Sequence, residues 1–245
     1  MKPFLLLSTR PEDEATEGER EAVVRLGRLA DDDLVQVRVE AAPLPPINLD
    51  DYTGVFLGGG PFNASDTDKS GLQLRVEADL GRVLDEVIQR DFPLLGLCYG
   101  IGAVSSRLGG IVDRTYGEPV SVADVTLTPE GEGDPLFEGV PSRLGAFVGH
   151  KEASRELAPG AVLLASGDVC PVQAFRVGDF VYATQFHPEL DRVGMASRIR
   201  IYKEEGYFDP SETQELVSFA ESATITPEVH RILSNFVGLA RRRTA

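Results

Sequence analysis

Apolar residues in the first half of the chain follow two spacings, which predict strands separated by helices. Continuous or alternating apolar runs predict strands at 3–8, 33–40, 52–60 and 92–98. Apolar positions with helical spacing predict helices at 16–30, 72–91 and 102–110. Thr16 and Glu19 have the spacing of a capping box that would open the first helix. All-apolar strands in such a series are typical of a parallel sheet covered on both faces.

The second half of the chain predicts a different packing. Short strands joined by brief turns are predicted at 118–129, 145–150, 161–167, 171–178 and 179–186. They indicate antiparallel packing against one side or edge of the first sheet. From Leu190 the pattern becomes helical, and helices are predicted at 195–208, 211–223 and 227–243. We therefore expect an α/β fold with a mostly parallel central sheet flanked by helices, an antiparallel strand extension and a helical C-terminal segment. All of it is expected to form one domain over residues 1–245.

Composition excludes several classes of function. A net charge of -15 argues against nucleic-acid binding, and the basic tail at 240–245 suits the C-terminus of a helix. No apolar run approaches the roughly 18 residues of a membrane span, so no membrane association is expected. Two widely separated cysteines predict no disulfide framework and favour the cytoplasm. The three histidines lack metal-ligand spacing and no cofactor motif is found, so neither a metal nor a cofactor is expected.

The stretch GLCYG, residues 96–100, places a cysteine between a predicted strand and a predicted helix. Glycines two positions before and after Cys98 permit the sharp strand-to-helix turn that projects a nucleophile. The N-terminus of the following helix would lower the pKa of the thiol. The alternative is a small buried core residue, since free cysteine is among the most buried residue types. Cys170 has no glycine frame and is expected to be structural.

A nucleophilic cysteine needs a base, and FHPE at 186–189 supplies a candidate. His187 follows an alternating strand, and Glu189 is close enough to orient its imidazole. His150 ends another predicted strand, whereas His230 is expected on a helix surface or in helix packing.

The loop GGGP at 58–61 follows the strand at 52–60 and leaves its backbone N–H groups unobstructed by side chains. Such a loop, around Gly59 and Gly60, could hold an oxyanion together with the N–H of Tyr99. Phosphate binding and a plain turn are the alternatives. The loop lacks the Lys-Ser/Thr pair of a P-loop, which argues against a nucleotide.

The Gly-rich loop, GLCYG and FHPE, in that order, resemble the class I (triad) glutamine amidotransferase family, especially the group similar to the amidotransferase part of GMP synthase. The resemblance runs from about residue 45 to 190. It implies a flavodoxin-like fold of this family and hydrolysis of glutamine through a γ-glutamyl thioester on Cys98. His187 would activate the thiol and protonate the departing ammonia, and Glu189 would orient His187. His150 would lie near the amino-acid end of the substrate.

Two departures from the family pattern leave alternatives open. Gly102 stands where the family commonly has a glutamine that contacts the substrate, which also admits a γ-glutamyl hydrolase acting on a conjugate other than glutamine. A non-catalytic regulatory module of the same fold is a third alternative. No synthetase domain follows in the sequence, so ammonia would need a separate synthetase subunit or another acceptor, or the chain would act as a free-standing amidase. Residues 190–226 are expected to form a helical insertion that covers the active-site mouth, makes a homodimer contact or packs against the domain.

Overall fold

The structure is a computed structural model that describes residues 2–244, so Met1 and Ala245, the end of the basic tail, lie outside it. Along the described residues the strands are β1 (Phe4–Ser8), β2 (Leu34–Arg38), β3 (Val55–Leu57), β4 (Leu94–Leu97), β5 (Ile111–Asp113), β6 (Glu118–Leu127), β7 (Arg143–His150), β8 (Ala153–Glu156), β9 (Val162–Gly167), β10 (Ala174–Val177) and β11 (Val181–Thr184). The helices are α1 (Asp13–Gly27), α2 (Gly71–Gln89), α3 (Tyr99–Arg107), α4 (Pro129–Glu132), α5 (Arg192–Ile201), α6 (Thr213–Ser222) and α7 (Arg231–Thr244).

The main sheet has the strand order β2-β1-β3-β4-β11-β10-β9-β6-β7. The strands from β2 to β11 are parallel, and β10, β9, β6 and β7 continue the sheet antiparallel from one edge. A small antiparallel sheet, not predicted from the sequence, pairs β5 with β8. The predicted fold class is therefore confirmed. One detail differs from the prediction of an antiparallel extension. Strand β11 pairs antiparallel with β10 but parallel with β4, and so completes the parallel part of the sheet.

Alternating residues of the central strands point to opposite faces of the sheet, and both faces are buried. Phe4 and Leu6 pack with α1 and α7, whereas Leu5 and Leu7 pack with α2 and α3. Covering both faces explains why these strands are apolar throughout. Helix α2 begins behind an N-cap serine, Ser70, whose hydroxyl accepts from the N–H of Gln73.

The predicted capping box at Thr16 and Glu19 is wrong. Helix α1 begins at Asp13, and the hydroxyl of Thr16 donates to the carbonyl of Arg10. The carboxylate of Glu19 is fully buried and accepts from Ser8 and from the guanidinium of Arg10, at 2.7 and 3.0 Å. A buried carboxylate gains more from a cation and a hydroxyl than from an exposed backbone N–H.

The segment after β11 is helical, with shifted boundaries. Helix α5 ends at Ile201 rather than 208, and the chain then turns through Gly206, whose φ is +71°. Helices α5 and α6 pack together and against Phe147 of β7 in a separate apolar cluster. The hypothesis that residues 190–226 form an insertion stays a prediction. No helix within residues 2–244 has the length and apolar content needed to cross a membrane.

Candidate active site

The candidate site lies where the carboxyl ends of the parallel strands meet. Cys98 directly follows β4, and its N–H donates to the carbonyl of Thr184 at the end of the neighbouring β11. The loop after β11 carries His187, and the glycine loop follows β3 on the other side of β4. Ligand sites of open α/β sheets form beyond this edge, so the topology alone brings the three predicted motifs together.

The backbone of Cys98 has φ +52° and ψ -97°, a conformation that costs a non-glycine residue energy and that recurs at functional turns. The turn is tight, and the backbone segments around it approach each other closely at the two flanking glycines. A Cβ added at Gly96 would lie 3.0 Å from the backbone of Gly100, and a Cβ at Gly100 would lie 3.0 Å from the carbonyl oxygen of Leu57. Helix α3 starts at Tyr99, directly after the cysteine, rather than at the predicted residue 102. The N-terminus of α3 therefore lies directly beside Cys98.

The imidazole of His187 is fixed from one side by Glu189. The Nδ1 atom of His187 lies 2.7 Å from Oε1 of Glu189, and both side chains are buried. Burial alone would lower the pKa of His187, but the charges of Glu189 and Cys98 and a hydrogen bond to each outweigh it and raise the pKa to about 10. Burial acts to raise the pKa of Glu189, and the contact with His187 reverses this and lowers it. The arrangement is an imidazolium held between the carboxylate of Glu189 and the sulfur of Cys98.

Backbone donors suited to an oxyanion flank Cys98. Among residues 2–244, the N–H groups of Gly59, Gly60 and Tyr99 have no intramolecular hydrogen-bond acceptor. The carbonyl of Gly59 accepts from the hydroxyl of Thr9 at 3.0 Å, which fixes the loop. A Cβ at Gly59 would lie 3.6 Å from Cβ of Cys98, so this loop borders the sulfur. Such donors stabilise the negative oxygen of a tetrahedral intermediate.

One side of Cys98 opens into a pocket, here called the acyl pocket. Its polar lining includes His150, Lys151, Glu152, Gln185 and Tyr207, next to Gly102, and its apolar lining includes Phe62, Val112 and Ala153. The Glu152 carboxylate accepts from the N–H groups of Ala64 and Ser65 at 2.7 and 2.8 Å. Its Oε1 would lie 3.1 Å from a Cβ at Gly102. A carboxylate from the β7–β8 turn therefore lies where a larger side chain at position 102 would extend, and sequence reasoning did not identify Glu152.

His150 lines the acyl pocket, but both of its ring nitrogens have protein partners. Nδ1 lies 2.9 Å from the carbonyl oxygen of Glu152, and Nε2 lies 3.0 Å from the carboxylate of Glu118. Glu118 also accepts from the amide of Gln173 at 2.7 Å. These contacts hold the turn that carries Glu152, so His150 is placed to support the pocket rather than to bind substrate through a free nitrogen.

Cys170 forms a second buried group with Glu118 and His150, whose possible ligand atoms all lie within 4.8 Å of one another. A cysteine, a histidine and a carboxylate are a donor set that zinc accepts. Here His150 and Glu118 already contact each other, and the thiol of Cys170 donates to the carbonyl of Val172. Burial raises the pKa of Cys170 to about 12, so this thiol stays neutral and is a poor nucleophile.

The other side of Cys98 opens into a second cavity, here called the His187-side cavity, which encloses about 60 Å³ and has an open mouth. Its wall comes from α5 and from the segment 202–208 that follows. Arg10 lies at its border, where its Nη1 donates to the hydroxyl of Tyr202 at 2.9 Å. The hydroxyl of Tyr207 lies 3.4 Å from the carbonyl oxygen of Gly60, so this segment reaches the glycine loop.

His230, expected on a helix surface or in helix packing, contacts the loop that carries His187 and Glu189. It ends a 3₁₀ turn before α7, and its Nδ1 lies 2.7 Å from the carbonyl oxygen of Pro188. Pro188 separates His187 from Glu189, so His230 braces the loop that carries both. In the sequence, the TP dipeptide at 226–227 predicted that a helix starts just before His230.

Comparisons with known proteins agree with this geometry. Residues 20–197 match the sequence model of the family described as glutamine amidotransferase class-I. The chain is 30% identical over 149 residues to a protein from Thermococcus kodakarensis that is named as one subunit of GMP synthase (glutamine-hydrolyzing). That match spans 60% of this chain and 72% of the relative. A match at 29% identity to GMP synthase (glutamine-hydrolyzing) of Thermosipho melanesiensis spans only 26% of that longer protein.

Among solved structures, a glutamine amidotransferase from Thermotoga maritima aligns over the full length of both chains with a TM-score of 0.75 and 22% identity. One from Methylobacillus flagellatus has a TM-score of 0.72 and 17% identity over 97% of this chain. The chain belongs to the class I glutamine amidotransferase family. This confirms the resemblance found in the sequence and makes the chain an amide hydrolase or transferase.

Proposed function

We propose that this chain hydrolyses a γ-glutamyl amide through a γ-glutamyl thioester on Cys98. The observation that carries the proposal is the pairing of a strained strand-to-helix cysteine with a buried histidine that Glu189 holds from its far side. In this proposal Cys98 is the nucleophile, His187 the proton carrier, and Glu189 the residue that orients and stabilises the imidazolium.

The reaction proceeds in two steps, which are formation of the thioester on Cys98 and its hydrolysis. Cys98 gives its proton to His187 as its sulfur attacks the γ-carbonyl carbon, and the carbonyl oxygen becomes an oxyanion held by the N–H groups of Gly59, Gly60 and Tyr99. When the C–N bond breaks, His187 donates its proton to the departing nitrogen and the thioester remains. A water then gives a proton to His187 and attacks the thioester carbon. Glutamate leaves, and the cysteine recovers its proton from His187.

The acyl pocket supports a glutamyl group because it carries both charges that an amino acid needs. Each oxygen of the Glu152 carboxylate already accepts one backbone N–H and has a further lone pair for the α-ammonium group. The ammonium of Lys151 lines the same pocket and suits the α-carboxylate. Lys151 is held by the carbonyl of Glu205 at 2.7 Å and lies 4.2 Å from the ring centroid of Tyr207. Glu152 thus replaces the side chain that Gly102 lacks.

With glutamine as substrate the first product is ammonia, and in this proposal ammonia passes to a separate synthetase subunit. The support is the likeness to proteins named as one subunit of GMP synthase, since that name implies a second one. A γ-glutamyl hydrolase acting on a larger conjugate is the second candidate. The His187-side cavity favours it, because ammonia does not need that space.

The test of the proposal compares two cysteine variants. Cys98→Ser is expected to lower the rate of glutamate release from a panel of γ-glutamyl amides by about 10⁴-fold or more, as loss of a nucleophile does. Cys170→Ala, which removes the other thiol, is expected to retain the rate within about threefold. Release that survives in Cys98→Ser, or that is lost equally in both variants, would contradict the proposal.

A further inference from the structure

The two spaces beside Cys98 are not equivalent, because only one of them is bordered by the proton donor. Cys98, Gly60 and Tyr207 line both, whereas His187 lines only the His187-side cavity. The departing nitrogen must receive its proton from His187, so the leaving group lies on that side. The glutamyl chain then lies on the other side, in the acyl pocket with Glu152 and Lys151.

The lining of the His187-side cavity is mainly apolar. Val120 of β6 and Leu190, Met195 and Ile199 on or near α5 contribute aliphatic surface, and Tyr202 and Phe208 contribute rings. The guanidinium groups at the border are committed to the protein, since Arg10 contacts Glu19 at 3.0 Å and Arg198 lies 3.9 Å from the same carboxylate. Both guanidinium groups are thus engaged with the same carboxylate, and the aliphatic and aromatic surface that remains suits a hydrocarbon group.

The size of the cavity exceeds what ammonia needs. A cavity needs roughly 10–15 Å³ to hold one water, and ammonia is of similar size. The His187-side cavity encloses about 60 Å³ and has an open mouth, so a substituent larger than the enclosed space can extend through the mouth. Met195 adds a flexible thioether that adapts to varied apolar shapes.

We propose that the leaving group of the substrate is an amine bearing an apolar or aromatic group, so that the substrate class is N-substituted γ-glutamyl amides. This inference rests on the proposed function, with Cys98 as nucleophile. The C–N bond to the substituted nitrogen breaks, His187 supplies the proton to the amine, and water completes the hydrolysis to glutamate. The apolar group occupies the His187-side cavity during the first step.

The experiment compares γ-glutamyl benzylamide with glutamine on the full chain. Because the benzyl group of the substrate occupies the apolar cavity, we expect kcat/KM for the benzylamide to be about 10- to 200-fold above that for glutamine. Ile199→Phe, which fills the cavity, is expected to lower kcat/KM for the benzylamide at least about tenfold more than it lowers kcat/KM for glutamine. Val193→Phe is the matched control on the same helix, because Val193 is 77% exposed and does not line the cavity.

A second filling variant covers the case that Ile199→Phe fails to fold. Val120→Phe enlarges a half-buried wall residue on β6 and is expected to show the same selective loss. Cys98-dependent hydrolysis of glutamine in preference to the benzylamide, or equal losses on both substrates in the folded filling variants, overturns the inference and leaves the proposed function standing. Absence of Cys98-dependent release from either substrate overturns the inference and the proposed function together.

Discussion

At the scale of single residues, the proposed chemistry depends on the protonation state of His187. The imidazole of His187 is buried, which by itself favours the neutral form, and the adjacent carboxylate and thiol reverse this preference. Cys98, His187 and Glu189 could be predicted from the sequence because their motifs are local. Arg10, Glu152 and Tyr202 could not, because they reach the site only through tertiary contacts that leave no local pattern.

Glu189→Gln tests this electrostatic balance. Without the carboxylate the pKa of His187 is expected to fall below its value of about 10, since burial is then opposed only by the thiol. Because the leaving nitrogen needs the imidazolium, activity is lost as pH rises through this pKa. The alkaline limb of the kcat/KM profile should therefore move to lower pH, and kcat should fall about 10²- to 10⁴-fold.

The control for that measurement is Glu130→Gln, which removes the same charge from an exposed position in α4. Its pH profile should overlay that of the unmodified chain. An alkaline limb in Glu189→Gln that stays in place, with kcat unchanged, would show that Glu189 does not set the protonation of His187.

At the scale of elements, the acyl pocket depends on α3 lying against the turn between β7 and β8. Gly102 of α3 leaves room for the Glu152 carboxylate, which in turn is held by the backbone of the segment after β3. Hydrogen bonds that join His150 and Gln173 to Glu118 fix the same turn. The lack of a side chain at position 102 is thus compensated by a residue from another element.

Gly102→Gln is expected to displace Glu152 and to raise KM for γ-glutamyl substrates about 10- to 100-fold, the cost of losing a hydrogen bond to a charged group. The effect on kcat should be smaller, because the triad and the oxyanion donors remain in place. Ser106→Gln, at an exposed position of the same helix, is the control. Both substitutions suit a helix, so folding should persist. A lower KM in Gly102→Gln would instead identify position 102 as a direct substrate contact and contradict the role of Glu152.

At the scale of the whole molecule, the site joins distant parts of the chain along one sheet edge. The alternating elements predicted the fold class, but not that β11 would lie parallel to β4, because the order of strands along the chain does not state which strands become neighbours. That one pairing places His187 beside Cys98. The segment 202–208 then closes the cavity against Arg10 and Gly60, through contacts nearly 150 to 200 positions apart.

The most direct measurement of the central claim is the mass of the acyl-enzyme. The chain is mixed with γ-glutamyl benzylamide or glutamine, quenched in acid and analysed by intact and peptide mass spectrometry. We predict a gain of one glutamyl group on the peptide that contains Cys98, and none in Cys98→Ser. A glutamyl group found on Cys170, or turnover that continues in Cys98→Ser, would contradict the assignment of Cys98 as the nucleophile.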